Sequence, residues 1–571
     1  MDRPWLDNYP SDVPKTLGPY PEESLFGILS KAASRHPDRP AITFFGKRMS
    51  YAQLLAETER FSSVLTGLGV AKGDRVALIL PNCPQYVIAY YAAVRVGATV
   101  VGNNPLYTER EMAHQLGDCA PRVTVTLENF YRQLSSVMKT VDVGEVLVTK
   151  LTDYMPFPIN KLAPIKFKKE AKLESRPWPY VPKGVEVRWW KRTMKGAGPP
   201  LPPAVVEARA EPAGFIYTGG TTGLAKGAML SHYNITANAM QSASWFPDIV
   251  DGQDVMMCVL PFFHSFGMMA MNVAILKAMK LILVPRFDIG LVLKAIEKEK
   301  PTHFPGVPRL YIALNESPET SKHDLSSITA CISGGAPLPV AVADRFREVT
   351  GGAEVVEGYG LTETSPVAVA NPLSGVRKPG HIGIPLPDTD CKIVSLEEPD
   401  RAVGQGESGE LCLRGPQVML GYWNRPDETA NSIRDGWFHT GDVAVMDEQG
   451  YFKIVDRLKD MVLVSGFNVY PTEIEAVLYH HPKILKACVV GVPDEKTGEA
   501  IKAFIVLREG ETATAEEISQ WCRDPAQGLT GYRVPKQIEF RESLPETMIG
   551  KVLRRVLQEE EKQKRATGAG S

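Results

Sequence analysis

The stretch Tyr217-Thr218-Gly219-Gly220-Thr221-Thr222-Gly223-Leu224-Ala225-Lys226-Gly227 packs four hydroxyls, four glycines and one ammonium into a few residues. Glycine permits positive φ and close approach of backbone to a ligand, so successive N–H groups can turn inward as an anion-binding nest. With the threonine hydroxyls and Lys226 added, the donor set suits a polyphosphate. A flexible surface loop has the same composition and is the plain alternative. The stretch is not a Walker loop, which needs Gly before its Lys and Ser or Thr after it to hold magnesium. Here Ala225 and Gly227 flank Lys226, so P-loop kinases and GTPases are disfavoured.

Further segments carry chemistry of their own. In Gly358-Tyr359-Gly360-Leu361-Thr362-Glu363, Tyr359 offers an aromatic face, Thr362 a hydroxyl and Glu363 a carboxylate of the kind magnesium prefers. Packing by Tyr359 and helix capping by Glu363 are the plain readings. In Trp437-Phe438-His439-Thr440-Gly441-Asp442, the carboxylate of Asp442 can accept from two vicinal hydroxyls at once. Alone, Thr-Gly-Asp is a common turn. The charged run Asp456-Arg457-Leu458-Lys459-Asp460 reads as an exposed turn, and Lys551, after Gly550, as a solvated lysine. Leu260-Pro261-Phe262-Phe263-His264 precedes a run with no charge until Lys277. Its methionines suit an alkyl chain, with ordinary core packing as the alternative.

In this order, the segments resemble those of the adenylate-forming enzymes, the superfamily of acyl-CoA synthetases, luciferases and adenylation domains. The resemblance runs from about residue 25 to 560. It implies that Thr218, Gly219, Gly220, Thr221, Thr222, Gly223 and Lys226 cradle the phosphates of ATP. Gly334, Gly335, Ala336, Glu357, Gly358, Tyr359, Gly360 and Thr362 would line the nucleotide, and Thr218 and Glu363 would hold Mg2+. Asp442 and Arg457 match the ribose-binding positions, Lys459 the pivot of a mobile C-terminal domain and Gly466 the glycine beside the CoA pantetheine tunnel. Lys551 matches the catalytic lysine, and His264 the gate of the acyl site, with Thr362 a third catalytic candidate. Gly219 and Ala225 depart from the family's usual serine and proline, as in some bacterial long-chain fatty acid–CoA ligases. Adenylation domains for amino acids need a carboxylate near His264 to meet the substrate amine, and none stands there.

The implied activity is ATP-dependent fatty acid–CoA ligation through an acyl-adenylate, with AMP and pyrophosphate as products. Ligation of medium-chain or aryl acids, and fatty-acid binding without turnover, are the alternatives.

These residues need a scaffold. The 571-residue chain is long enough for about three or four units of roughly 150 residues. A net charge of −2 gives no reason to expect nucleic acid. Eight scattered cysteines without a CxxC pair support neither a zinc site nor disulfides and suggest a reducing, cytoplasmic setting. The N-terminus lacks a signal-peptide core, and Pro261, His264 and Ser265 break the most apolar run, so no membrane span is expected.

Short apolar strands alternating with amphipathic helices predict an α/β fold with a mainly parallel sheet. Helices are expected at 25–33, 51–68, 85–96 and 340–349, and strands at 73–80, 98–102, 328–333 and 354–356. The segments 334–337 and 357–360 would be loops at the carboxyl ends of neighbouring strands, where open α/β sheets place ligands. Residues 391–455 read as a small β-rich part of an N-terminal domain, 1–457, and 458–571 as a mobile α+β domain. Within the N-terminal domain, 151–197 holds eleven Lys/Arg against four Asp/Glu, interleaved with aromatics, and a Pro-rich linker ends the insertion at Pro203. Peripheral contact with an anionic membrane face fits that pattern; a solvated loop with aromatics folded back is the alternative. A homodimer is a further expectation.

Overall fold

The computed structural model describes residues 2–163, 187–218, 225–398, 401–465, 467–494, 496–524, 529, 531–546 and 552–566. The chain divides into two units, one of Trp5–Asp390 with Arg414–Phe438, the other of Cys391–Leu413 with His439–Ser571 and the first four residues. The β-rich segment expected within the N-terminal domain thus falls largely with the C-terminal residues. Asp456, on the last strand of its hairpin, accepts from the Thr472 N–H at 2.8 Å and ties the two together.

The larger unit is built on two mainly parallel sheets. One has eight strands in the order Gly421–Tyr422, Lys226–Ser231, Pro212–Thr218, Thr99–Gly102, Arg75–Ile79, Val123–Leu127, Glu145–Thr149 and Val187–Trp189. Its first three strands pair antiparallel and the rest parallel. The second sheet begins with Val255–Cys258, Lys280–Leu283, Pro40–Phe44 and Lys47–Ser50. Bridges through His303 join Met256 to Ala330 and so add Ala330–Ser333 and Glu354–Gly360. Nearly every residue of these central strands is buried, as expected of sheets covered on both faces. The helix Ser265–Leu276 is apolar on every side and almost wholly buried, so it is a core element. Among the described residues no helix is long and apolar enough to cross a membrane.

The expected helices and strands stand within a few residues of their predicted bounds, with one exception. The strand from Glu354 runs on to Gly360 where a loop was expected. It pairs with Val367–Ala370, and a Cβ on Gly360 would lie 1.8 Å from the Pro366 oxygen. Glycine therefore lets this strand close against its own hairpin.

The described parts of 151–197 are also more ordered than a loop. Val187–Trp189 is the sheet's edge strand, and Trp190 is buried, stacked on Phe61 at 4.2 Å. The Trp190 Nε1–H donates to the Tyr154 hydroxyl, which donates to Glu57 at 2.7 Å. These two aromatics are folded onto the body. Phe167 and Trp178 lie outside the described residues.

The smaller unit contains most of the strands Ser408–Arg414 and Trp437–Met446, and all of Phe452–Arg457, of one sheet. A second sheet orders Phe467–Val469, Val462–Val464, Gly498–Leu507 and Ile484–Asp494, with Gln537–Phe540 added parallel to Gly498–Leu507. Val464, Ile474, Leu478, Val489, Ile505 and Ile518 belong to its core. All eight cysteines of the chain are free and buried, and burial pushes the Cys83, Cys119 and Cys488 thiols up to about 12.

Candidate active site

Thr218 and Lys226 are cross-strand partners at the end of the hairpin Pro212–Thr218/Lys226–Ser231. Residues 219–224, with Gly219, Gly220, Thr221, Thr222 and Gly223 among them, lie outside the described residues, as do Gly466 and Lys551. Tyr217, counted with the loop's hydroxyls in the sequence, turns the other way. Strand alternation sends its ring inward, where it is buried and its hydroxyl donates to Asp118 at 2.7 Å.

Lys226 forms an ion pair with Glu428, and its ammonium stands 4.9 Å from the centre of the Tyr422 ring. The hydroxyl of the same tyrosine donates to Glu363 Oε1 at 2.7 Å. One buried side chain therefore touches both the candidate phosphate lysine and the candidate metal carboxylate. Tyr422 was not singled out from sequence. Its signal is tertiary, carried by the short strand Gly421–Tyr422 pairing with Lys226–Ser231. Glu363 opens no loop of its own; its backbone oxygen accepts from Met419 N–H at 2.8 Å. The Glu363 carboxylate is a hard oxygen donor of the kind Mg2+ takes, with one oxygen held by the Tyr422 hydroxyl.

The Thr362 hydroxyl lies 3.5 Å from that of Ser265, at the start of the helix that His264 caps by accepting the Phe266 N–H at 3.3 Å. Gly334 and Gly335 follow the strand Ala330–Ser333, with Ala336 next. A Cβ on Gly334 would stand 3.2 Å from the Gly358 oxygen and 3.3 Å from the Phe266 ring, so three motif segments crowd one point. Gly335 takes a φ of +81°, favoured by glycine. The Gly358 position is filled on its Cβ side by Ile332, at 2.8 Å. Tyr359 is half-buried on the strand opposite Val369. Burial raises the Glu357 carboxyl to about 8 against the opposing hydrogen bond from the Leu338 backbone, leaving it mainly protonated at neutral pH.

A small apolar cavity of about 20 Å³ is lined by Phe246, Met256, Met269, Val273, Ser242 and His303 among others. Two of its lining methionines, Met256 and Met269, are flexible gap-fillers. Among the described residues the buried Ser242 hydroxyl has no hydrogen-bond partner.

In the smaller unit, Asp442 and Arg457 are cross-strand partners joined by an ion pair of 3.1 Å between Oδ1 and Nε. Desolvation of the Lys459 ammonium and, second, the Arg457 guanidinium bring it down to about 8. Glu410, Cys412 and His439 gather nearby. Glu410 accepts from Gly441 N–H at 3.0 Å through one oxygen and bonds His439 Nδ1 at 2.8 Å through the other. That carboxylate is engaged in fixing the turn before Asp442. Arg554, three residues beyond Lys551, is bound by Glu475 at 2.7 Å and Asp460 at 2.8 Å, with Asp456 at 3.9 Å.

The family model described as AMP-binding enzyme matches residues 29–423, and that of the AMP-binding enzyme C-terminal domain matches 473–551. A long-chain-fatty-acid–CoA ligase of Bacillus subtilis is 44% identical, with 98% of each chain covered. A feruloyl-CoA synthase of Amycolatopsis is 34% identical over 92% of this chain and 96% of its own. The structure of ATP-bound MatB from Rhodopseudomonas palustris superposes with a TM-score of 0.81 at 30% identity, covering 94% of this chain and 98% of that one.

Proposed function

Because the chain belongs to the AMP-binding enzyme family, we propose that it joins long-chain fatty acids to CoA, with ATP converted to AMP and pyrophosphate. It is an AMP-forming acid–thiol ligase that uses ATP, CoA and Mg2+. The observation that carries the site assignment is the Lys226–Tyr422–Glu363 cluster, which sets a phosphate-binding cation beside an oxygen ligand for the metal.

In the first half-reaction a carboxylate oxygen of the fatty acid attacks the α-phosphorus, and the bond to pyrophosphate breaks. Lys226 leaves its ion pair with Glu428 to meet the triphosphate, and the threonine loop supplies the remaining donors. Thr218 and Glu363 would hold Mg2+, which would neutralise phosphate charge. Asp442 accepts the ribose hydroxyls, held in place by Arg457. Lys551 stabilises charge developing at the reacting oxygens, since positioning and electrostatics carry most phosphoryl chemistry. In the second half-reaction the CoA thiol attacks the acyl carbonyl and AMP leaves. Alternation of the C-terminal part about Lys459 would withdraw Lys551 and present Gly466.

Pyrophosphate release measured with and without CoA, from acetate to stearate, tests the reading. It expects AMP as product and a maximum among long chains. ADP as product would exclude the ligase reading, and a maximum with ferulate would favour the aryl one. Lys551→Ala separates an enzyme from a binder, because a ligase loses adenylate formation while a binder keeps its fatty-acid affinity.

A peripheral site at the cytoplasmic face of the membrane is part of the proposal. It is supported by Phe157 and Leu162, 81% and 60% exposed beside Lys161, at the start of the basic segment. Phe157→Ser with Leu162→Ser should abolish flotation with anionic liposomes; unchanged flotation would sink the idea. Sedimentation equilibrium should give twice the chain mass if the proposed homodimer forms.

A further inference from the structure

Asn82 stands in the turn between the strand Arg75–Ile79 and the helix Pro84–Arg95, and is 2% exposed. Its carboxamide is engaged by one distant segment. Nδ2 donates to the carbonyls of Cys258 at 2.9 Å and Leu260 at 2.8 Å, and Oδ1 accepts from Phe262 N–H at 2.9 Å. Two carbonyls and one N–H require two donors and one acceptor together, which an amide supplies and a carboxylate does not.

Cys258 ends a strand of the second sheet, so a single side chain joins the carboxyl ends of both sheets. On its other side the segment rests against Gly102, where a Cβ would lie 2.9 Å from Phe263 Cα and 3.2 Å from the Phe263 oxygen. Phe262, Phe263 and His264 then lead directly into the helix whose first residue, Ser265, approaches Thr362. The Cys258 carbonyl also accepts from the Val284 N–H at 3.2 Å, so losing the amide weighs most on the Leu260 carbonyl and the Phe262 N–H, which hold the turn before the helix.

We infer that Asn82 is a positioning residue for acyl-substrate entry, clamping residues 258–262 so that Phe263 and His264 hold the gate in register with the nucleotide site. The inference rests on the reading of His264 as the gate of a fatty acid–CoA ligase.

The test is steady-state pyrophosphate release by full-length Asn82→Ala, Asn82→Asp, Gly102→Ala and His264→Ala proteins, with palmitate and ATP each varied. Asn82→Ala and Gly102→Ala should raise the palmitate KM about tenfold while the ATP KM stays within about twofold. Asn82→Asp is the conservative case. A buried neutral carboxyl keeps one donor and one acceptor, whereas the carboxylate keeps acceptors only. Its palmitate KM should therefore approach that of the wild type at low pH and climb as pH rises, a profile that general loss of stability would not produce. If Asn82→Ala does not fold, the Asp and Gly102 variants carry the same test. An unchanged palmitate KM, or equal rises in both KM values, overturns the inference while a raised value in His264→Ala keeps the gate reading. An unchanged value in His264→Ala as well removes the gate reading and the inference with it.

Discussion

Tyr422 and Glu363 are 59 residues apart in sequence, yet the tyrosine hydroxyl donates to the glutamate at 2.7 Å inside the larger unit. The tyrosine ring faces Lys226. This shared contact couples the geometry of the candidate metal ligand to that of the phosphate lysine. Tyr422→Phe deletes only the hydroxyl. It should raise the Mg2+ concentration for half-maximal pyrophosphate release several-fold and lower stability by about 1–3 kcal/mol, measured by denaturant unfolding without nucleotide. Tyr422→Leu, which also removes the ring, should raise the ATP KM as well; equal behaviour of the two variants would leave the ring without a role.

The small apolar cavity makes a prediction about chain length. Ala270 is one of its lining residues, on the buried helix after His264. Ala270→Phe should lower kcat/KM for palmitate about tenfold or more while octanoate is little affected, because extra side-chain volume in an apolar pocket discriminates by this order. The overpacked core should cost about 1–3 kcal/mol, to be checked by melting temperature. A proportional loss with every acid would place the acyl chain elsewhere.

Glu357 supplies a pH dependence. Burial raises its carboxyl from 4.5 to about 8, so the folded state holds the proton more tightly than the unfolded chain. Its contribution to stability is complete below about 4.5 and is lost as pH rises toward 8. Glu357→Gln stays neutral throughout and removes that slope. The melting temperature of the variant minus that of the wild type should grow between these limits and level off above them. A flat difference would mean that the wild-type group titrates in its ordinary range.

Arg554 anchors the chain just past Lys551 through Glu475, Asp460 and Asp456. Arg554→Met strands these carboxylates and should destabilise the smaller unit by about 3–5 kcal/mol. Thermal unfolding of the full chain should show the loss in Met and a smaller one in Lys, which keeps the charge. Equal melting in all three proteins would contradict the assigned network.

Much of the scaffold was legible because it is written in local pattern. The turn at Asp447–Gly450 predicts a hairpin, and Asp447 indeed accepts from Gln449 and Tyr451 N–H groups, both at 2.9 Å. That hairpin makes Asp442 and Arg457 partners, two residues singled out separately from sequence. Periodicity likewise places the buried strands and the helix after His264. Tyr422 and Asn82 escaped because their partners are remote, and no local pattern records which backbone a buried hydroxyl or amide will reach. The glycines flanking Tyr359 predict a loop because they look like turn residues, whereas their Cβ positions are occupied by Ile332 and Pro366.

The burial of all eight cysteines bears on what becomes of the acyl-adenylate. Such a mixed anhydride is electrophilic toward any thiolate within reach. Thiols such as Cys83 and Cys258, held protonated by burial, offer no such competitor. Burial of these thiols limits S-acylation of the protein by its own product-in-waiting.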